Sequence, residues 1–379
     1  MKNLPAEKLK KYLFGLIIVI LTLPLMQSSL KIFKLAPLNG AYTAIENPRF
    51  QVSTWTEGQF QSEKEAYIKQ NFGFNTFFVK AYNQIQYSLY NQTGVQNVVI
   101  GQDNYLYDEN YITAYYGLDF AGNKILSEKV EKLQKISDTL KSKNISLIVV
   151  LAPGKANYYP EFLPKENISP KKGITNYEVL SRKLNHTDIN LADMQQWFLE
   201  LKPKTKHPLF PRTGIHWSYF GECIVLDSLV KLVESIREIN LPKISFDPIE
   251  KSYTMRERDD DIEKSMNLFF NIEDLKMSYP NLLITDKNAT KPSLLTIADS
   301  FYWGFFGTGA INQLFGDNQF WYYNDEIYKS NNPEVRKVKE INLIKEIEKN
   351  EVIIILSTDS NLRNFGFNFI ENLYSAYFN

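Results

Sequence analysis

A serine at the end of a buried strand is the sharpest chemical signal in this sequence. Residues 296–301 read Thr-Ile-Ala-Asp-Ser-Phe, so an apolar run of strand length ends directly in Asp299 and Ser300. In an open α/β sheet, ligands bind at the carboxyl ends of strands, next to the free N–H groups of the following turn. Ser300 is therefore a candidate nucleophile, and those N–H groups would stabilise an acyl-transfer oxyanion. The structural alternative is that Asp299 or Ser300 only caps the next helix.

A serine nucleophile needs a general base, and the chain has three histidines. His186 and His207 lie in polar, loop-like stretches, whereas His216 precedes Trp217 and a helical run that would fix its ring. We therefore prefer His216 as the base. The alternative is a structural His-Trp pair at a helix start, with the imidazole satisfied by a backbone carbonyl. The residue pattern by itself leaves both interpretations open.

Three weaker candidates surround these two residues. The acidic run Asp259-Asp260-Asp261 would either reach the cleft, bind a cation or form a solvated helix N-terminus, and the last is favoured. The aromatic residues after Ser300, above all Tyr302 and Trp303, would either stack on a sugar or fill the core. Lys155 ends a predicted strand at the same sheet edge and would bind an anionic group or simply occupy a turn.

Composition excludes several classes of function. Lys plus Arg and Asp plus Glu both total 43, so no net field attracts nucleic acid. The 44% hydrophobic and 23% charged fractions are typical of a globular body. Cys223 is the one cysteine, which excludes a disulfide framework and a cysteine zinc site and favours a place in the core. We expect no metal site, and the lack of a phosphate-binding glycine loop predicts no cofactor.

The N-terminal residues predict a membrane anchor. Lys2, Lys8, Lys10 and Lys11 precede the uncharged stretch Tyr12–Leu30, which as a helix would span roughly 30 Å, the thickness of the hydrocarbon core. We expect 1–11 to be cytoplasmic, 12–33 to cross the cell membrane once, and the remaining chain to be extracytoplasmic, in the periplasm, by the positive-inside rule. The rival interpretation is a cleaved signal peptide.

The elements that must position the candidate residues follow this segment. Residues 34–94 are predicted to form a linker and a helical entry segment, with Phe60–Tyr90 helical and broken at Gly73. Asn97–Asp108 has the composition of a glycine hairpin. Residues 95–379 then alternate helices and short apolar strands, which predicts a three-layer α/β/α sandwich with a mainly parallel sheet. The predicted helices are Val130–Lys143, Tyr177–Leu184, Phe220–Ile239 and Glu334–Lys349, the predicted strands are Ile145–Leu151, Ile189–Leu191, Ser293–Ala298 and Val352–Leu356, and Leu241–Pro248 and Arg256–Lys264 are predicted insertions.

Taken in order, these motifs resemble a known family. The hairpin VIGQDNYLY, the strand end Ala152–Lys155 with Tyr159-Pro160, the pair His216-Trp217 and the motif Ala298–Phe301 are similar to the SGNH-hydrolase-like polysaccharide O-acetyltransferases of the AlgX/AlgJ (alginate O-acetyltransferase) type. In that family the histidine motif precedes the serine, a permuted order relative to ordinary SGNH esterases. His216 likewise precedes Ser300. The resemblance implies an SGNH-hydrolase-like fold and a Ser300/His216 site.

Two positions depart from the family pattern. The family's usual Asp-Thr-His-Trp is Gly214-Ile215-His216-Trp217 here, so the orienting carboxylate is missing from its place. Either Asp259, Asp260, Asp261 or Asp359 replaces it, or a Ser-His dyad works slowly, or the site is inactive. The second departure is Ala298 in place of glycine, which matters only if that position needs a positive φ.

The resemblance implies an extracytoplasmic O-acetyltransferase that moves acetyl through Ser300 to hydroxyls of a cell-surface or exported polysaccharide. It also implies a polytopic membrane-bound O-acyltransferase as acetyl supplier, and the bilayer as a partner of the N-terminal helix. Two alternatives remain open at this stage. One is a carbohydrate acetyl esterase with the same residues, and the other is a catalytically silent assembly subunit, which Gly214 suggests.

Overall fold

The computed structural model describes residues 6–40, 44–165, 170–330 and 332–378. The chain divides into two compact units. One comprises Met1–Val95 with Glu263–Asn271, and the other comprises Gln96–Ile262 with Ile272–Asn379. The second unit contains the sheet and the candidate site residues.

The first unit is helical. Its first helix, α1 (Ala6–Leu30), contains a stretch, Glu7–Leu30, that is long and apolar enough to cross a membrane, with a mean hydropathy of 2.1. The predicted cytoplasmic segment 1–11 falls partly on residues 1–5, which lie outside the described residues. The predicted helical stretch and its break at Gly73 are confirmed, because one helix ends just before this glycine and the next begins just after it. These helices are α2 (Val52–Thr56), α3 (Gln59–Asn71) and α4 (Asn75–Tyr90).

The second unit opens on the predicted hairpin, which is confirmed, and then builds one large sheet and two small ones. The small sheets pair β5 with β8 and β6 with β7, both within the region that interrupts the alternation. The strands are β1 (Val98–Ile100), β2 (Leu106–Asp108), β3 (Ser146–Ala152), β4 (Asn190–Asp193), β5 (Lys243–Ser245), β6 (Ile249–Ser252), β7 (Met277–Pro280), β8 (Leu283–Thr285), β9 (Leu294–Ala298), β10 (Asn318–Tyr322), β11 (Glu326–Lys329), β12 (Asn332–Lys337) and β13 (Val352–Thr358).

The large sheet has the order β12-β11-β10-β9-β13-β3-β4. Its members from β10 to β4 pair in parallel, while β11 and β12 add an antiparallel edge. The central strands β3 and β13 are apolar along almost their whole length, as expected of strands covered on both faces. Because β3, β9 and β13 run in parallel, Lys155, Ser300 and Asp359 all follow the same edge of the sheet.

Helices cover both faces of this sheet. Successive residues of a strand point to opposite faces, so Ile148 and Val150 of β3 join one apolar core, whereas Leu147 and Val149 join the other. The first core contains residues of α10 and the second contains residues of α6. The predicted three-layer sandwich is therefore confirmed. Helix α11 (Asp261–Met266) begins in the second unit and ends in the first. The other helices of the second unit are α5 (Glu109–Tyr116), α6 (Asn123–Ser142), α7 (Lys155–Tyr158), α8 (Asn176–Leu184), α9 (Met194–Leu201), α10 (Tyr219–Arg237), α12 (Trp303–Gly307), α13 (Ala310–Leu314), α14 (Leu343–Ile347) and α15 (Phe369–Phe378).

One predicted helix is wrong. Glu334–Lys349 was expected to be a single charged helix, but Asn332–Lys337 is strand β12, and helix α14 covers only Leu343–Ile347. Strand β12 is mostly exposed at the sheet edge, where charged residues and a proline are tolerated. Pairing with β11 and ion pairs from Lys337 to Asp325 and Glu326 favour the strand over the local helical preference. Cys223 is buried within α10, as predicted.

Candidate active site

Ser300 lies in a short turn that Asp299 holds in place. Asp299 is fully buried and caps the 3-10 turn Ser300–Tyr302 by accepting a hydrogen bond from the Phe301 N–H at 3.1 Å. Its second carboxylate oxygen accepts from the N–H of Thr358 at 2.8 Å and from the Asn361 side chain at 2.9 Å, which joins the turn to the end of β13. The cap and the candidate nucleophile are thus two adjacent residues, and the Ser300 hydroxyl remains available for other contacts.

His216 lies in a loop that is fixed from both sides before α10 begins. Asp274 accepts hydrogen bonds from the backbone N–H groups of Arg212 and Thr213 at 2.8 and 3.0 Å. Ser218 then caps α10 by accepting from the Gly221 N–H at 3.0 Å. This local order restricts the imidazole of His216, whose side chain is 11% exposed.

The fold brings His216 against Ser300 although 84 positions separate them in the sequence. His216 Nε2 lies 3.0 Å from Ser300 Oγ, which is hydrogen-bond distance. The other ring nitrogen, Nδ1, makes a short hydrogen bond to Asp261 Oδ2. With Asp261 ionised, Nδ1 carries the proton and Nε2 faces the hydroxyl as an acceptor. The three side chains have the connectivity of a catalytic triad.

Asp261 makes two hydrogen bonds besides the one to the imidazole of His216. Its Oδ1 accepts from the Ile215 N–H at 2.8 Å, and its own N–H donates to the Arg258 carbonyl at 3.3 Å. Burial raises the pKa of Asp261, but His216, the Ile215 N–H and the Arg258 guanidinium together lower that pKa below its usual value. The carboxylate is therefore ionised at neutral pH.

The glycine at position 214 is explained by the path of this acidic segment. A Cβ at Gly214 would lie 2.6 Å from the carbonyl oxygen of Asp259 and 2.8 Å from Pro211 Cγ. Position 214 thus has no room for a side chain, and the carboxylate reaches His216 from the start of α11 instead. The acidic run was expected to be solvated, which is wrong for its first two residues, because Asp259 is 1% and Asp260 is 8% exposed.

The other three candidate acids do not hold the ring, because both nitrogens of His216 are already occupied by Ser300 and Asp261. Asp259 accepts from the N–H of Tyr219 at 3.1 Å, and burial raises its pKa to about 8. Asp260 is buried beside it. Asp359 lies at the end of β13, where it accepts from the Asn157 side chain at 2.5 Å and from the Ser360 N–H at 2.8 Å.

Asp359 should make stability depend on pH. Burial raises the pKa of Asp359 to about 7. Between about pH 4 and 7, therefore, the native state still holds a proton that the unfolded state has already released. Stability should therefore fall as pH rises through that window. Asp359→Asn removes this contribution, and the fall in unfolding free energy between pH 4 and 8 should shrink by about 1–3 kcal/mol. Thermal or urea unfolding across this range measures it. Asp103→Asn, at an exposed position, is the control. If both variants show the same dependence of unfolding free energy on pH, the assignment to Asp359 is contradicted.

The weaker candidates have structural places. Lys155 is 1% exposed, and its ammonium donates to the backbone carbonyls of Leu106, Arg212 and Gly214 at 2.6, 2.6 and 2.8 Å. Lys155 is thus not presented to a ligand, and it secures the His216 loop instead. Burial lowers its pKa to about 7.

The two aromatic candidates, Tyr302 and Trp303, lie largely in the core rather than forming a sugar platform. Tyr302 is 2% exposed, and its ring contacts those of Phe305 and Phe320. Trp303 is partly buried against Phe320 and Tyr328. Both residues pack beside β10, and buried Tyr302 has no face open to a ligand.

Arg258 is a site residue that the sequence pattern did not single out. Its guanidinium donates to the carbonyl of Ser300 at 3.0 Å and pairs with buried Glu222 at 3.3 Å. Gly304 makes room for this pair, because a Cβ there would lie 1.8 Å from the Glu222 carboxylate. The one sign of Arg258 in the sequence is its place three residues before Asp261. Through these contacts Arg258 connects the acidic segment to the turn that carries Ser300.

Comparison with known proteins agrees with the motifs. Residues 98–240 match the family model described as the SGNH hydrolase-like domain of the acetyltransferase AlgX. The probable alginate O-acetylase AlgJ of Pseudomonas putida is 23% identical over 188 residues, and that of Pseudomonas aeruginosa is 25% identical over 194. Residues 98–240 are therefore similar to the SGNH hydrolase-like domain of AlgX/AlgJ-type proteins. The predicted resemblance is confirmed.

The extent of the AlgX/AlgJ match is limited. The aligned region covers 49% of this chain and 46% of the Pseudomonas putida relative, so the chain spans about half the length of the curated relatives it matches. The family model includes His216 and ends before Asp261 and Ser300. Among solved structures, the O-acetyltransferase domain of Pseudomonas putida AlgJ is similar with a TM-score of 0.48 and 14% identity, over 74% of this chain and 99% of that chain. For Pseudomonas aeruginosa AlgX the values are 0.41, 14%, 73% and 67%.

Proposed function

We propose that this protein is an extracytoplasmic O-acetyltransferase that carries acetyl on Ser300 and delivers it to a hydroxyl of a cell-surface or exported polysaccharide. The observation that carries the proposal is the position of His216, between the Ser300 hydroxyl and the Asp261 carboxylate. A serine hydroxyl is a weak nucleophile until a base removes its proton, and a carboxylate on the far ring nitrogen stabilises the imidazolium that forms.

In the first half-reaction, Ser300 Oγ attacks the carbonyl carbon of an acetyl ester or thioester while His216 Nε2 takes the hydroxyl proton. The tetrahedral intermediate collapses, and its carbon–heteroatom bond breaks. The leaving group receives the proton from Nε2, and acetyl stays on Ser300. The N–H groups of Phe301 and Tyr302 already donate to Asp299, so we propose the N–H of Ser300 itself as an oxyanion donor.

In the second half-reaction, a sugar hydroxyl attacks the acetyl-serine carbonyl and gives its proton to Nε2. The bond from the carbonyl carbon to Ser300 Oγ breaks, and Oγ takes the proton back. The products are an acetylated glycan and free enzyme. Asp261 stays ionised throughout and keeps the imidazole oriented.

The proposed location follows from helix α1. Glu7–Leu30 is apolar enough to span a bilayer, and the lysines lie on its N-terminal side. We propose that α1 anchors the protein and that the body lies in the periplasm. Since acetyl donors are made in the cytoplasm, a polytopic membrane-bound O-acyltransferase would supply acetyl across the membrane, as the AlgX/AlgJ resemblance implies.

The esterase alternative differs only in the acceptor, because water would take the acetyl group from Ser300. An acetylation assay separates the two. The full-length protein in detergent is incubated with an activated acetyl ester, with and without a panel of neutral and anionic glycans. Mass spectrometry should detect acetyl on the Ser300 peptide without glycan and acetylated glycan when acceptor is present. Release of acetate alone, at a rate that glycan does not change, would contradict the transferase. The silent-subunit alternative rests on the missing carboxylate at Gly214, and the hydrogen bond from His216 to Asp261 favours an active site over it.

A further inference from the structure

Helix α4 carries an exposed apolar stripe. Phe78, Tyr82, Ile85 and Leu89 follow one another at spacings of four, three and four residues, which places them on one face of the helix. Their relative exposures are 48, 59, 50 and 73%. Contiguous exposed apolar faces of this kind mark contact with a protein or a membrane.

The opposite face of α4 is already engaged within the same unit. The Asn83 side chain donates to the Met266 carbonyl at 2.7 Å, and Gln84 Oε1 accepts from the N–H groups of Phe269 and Phe270 at 3.1 Å each. Lys80, the charged residue of α4, lies about 200° around the helix from Phe78. The stripe itself is therefore free of charge and is directed outward by the contacts behind it.

The start of α4 lies against α1. Gly73 is so close that a Cβ there would lie 1.9 Å from the carbonyl oxygen of Pro24 and 2.8 Å from the Ser28 nitrogen. Next to it, the Phe74 ring packs on Phe33, just beyond α1, with centroids 5.8 Å apart. Pro24 precedes the end of α1 at Leu30 by roughly 9 Å of helix rise. The beginning of α4 is thus at the level of the C-terminal end of the apolar span.

We propose that α4 is an interfacial helix whose stripe of Phe78, Tyr82, Ile85 and Leu89 lies in the outer leaflet of the membrane that α1 crosses. This inference rests on the proposed anchor. Amphipathic helices bury an apolar face about 5–10 Å into the boundary between headgroups and acyl chains, which matches the depth of the Gly73 contact. Aromatic residues such as Phe78 and Tyr82 are favoured there. The stripe gives the protein a second contact with lipid besides α1.

Site-directed spin labelling of the full-length protein in phosphatidylcholine nanodiscs tests this proposal. Nitroxides are placed singly at Tyr82→Cys, Ile85→Cys and Leu89→Cys, with Lys80→Cys and Lys69→Cys as matched controls on the engaged face of α4 and on α3. Cys223 is buried, and unmodified protein reports any labelling of it. The ratio of oxygen to nickel-chelate accessibility should be at least about threefold higher at the stripe positions than at the controls, because oxygen concentrates in lipid.

A nickel-accessible stripe would overturn the proposal in favour of a solvent-exposed helix. Low accessibility to both reagents would overturn it in favour of a protein partner or a second copy of this chain. A label at Ile18→Cys within α1 separates this failure from failure of the anchor: if α1 is in lipid and the stripe is not, the anchor stands and the interfacial helix does not. Since acetyl transfer is assayed independently, its outcome does not depend on this experiment.

Discussion

Ser300→Ala is expected to abolish acetyl transfer, with a fall in turnover of about 10⁶-fold, the size of the loss when a serine protease loses its nucleophile. The methyl group cannot attack the donor, and no acetyl can be stored on the enzyme. Binding of the glycan should be little changed because the hydroxyl is a small part of any glycan contact. Intact-mass measurement after exposure to an activated acetyl ester should show the acetyl adduct on the wild type and its loss in the variant.

The matched control for this variant is Ser142→Ala. Ser142 is exposed at the end of α6, where its hydroxyl donates to the Thr139 carbonyl. This change should leave both the adduct and the glycan product at the wild-type level. Persistent acetylation of glycan by Ser300→Ala would instead show that another nucleophile, or none, is used.

Asp261→Asn is expected to lower turnover about 10⁴-fold, as the equivalent change does in the serine-protease triad. The amide can keep the geometry, but it stabilises the wrong tautomer of His216 and does not stabilise the imidazolium. The KM for the acetyl donor should change far less than kcat, since Asp261 touches His216 and not the substrate. Steady-state kinetics with the activated ester measure both constants, and exposed Glu257→Gln on the same segment is the charge-matched control.

Restoring an aspartate at the family's usual position should not rescue this variant. In Gly214→Asp/Asp261→Asn, the new Cβ would lie 2.6 Å from the Asp259 carbonyl oxygen, so the acidic segment would have to move. We expect the double variant to be less stable than either single variant and no more active than Asp261→Asn. Recovery of activity in the double variant would contradict the steric account of Gly214.

Much of the fold could be predicted because its strands are nearly continuous apolar runs and its helices are amphipathic. β3 and β13 are examples of such strands, and α6 is such a helix. The failure at Glu334–Lys349 has a physical cause. The conformation of this charged segment is decided by its pairing with the preceding strand β11, and that pairing is not visible in the residues of the segment itself.

For the candidate site, local motifs were sufficient to select Ser300 and His216, because a strand end and a helix start each constrain one side chain. The acid that orients His216 could not be selected in this way. Four aspartates were candidates, and only the fold shows that the segment after α10 brings Asp261 to the imidazole. Lys155 shows the same limit, since a lysine at a strand end gives no local sign that its ammonium is enclosed by three carbonyls.

The enclosed ammonium of Lys155 bears on how the catalytic part can be shortened. One of its three acceptors is the Leu106 carbonyl, in the hairpin that opens the second unit. A truncation that begins after this hairpin would strip a buried cation of a partner, at a cost of several kcal/mol, and loosen the segment leading to His216. A fragment meant to retain chemistry should therefore start upstream of Val98, even though the hairpin contributes no side chain to the reaction.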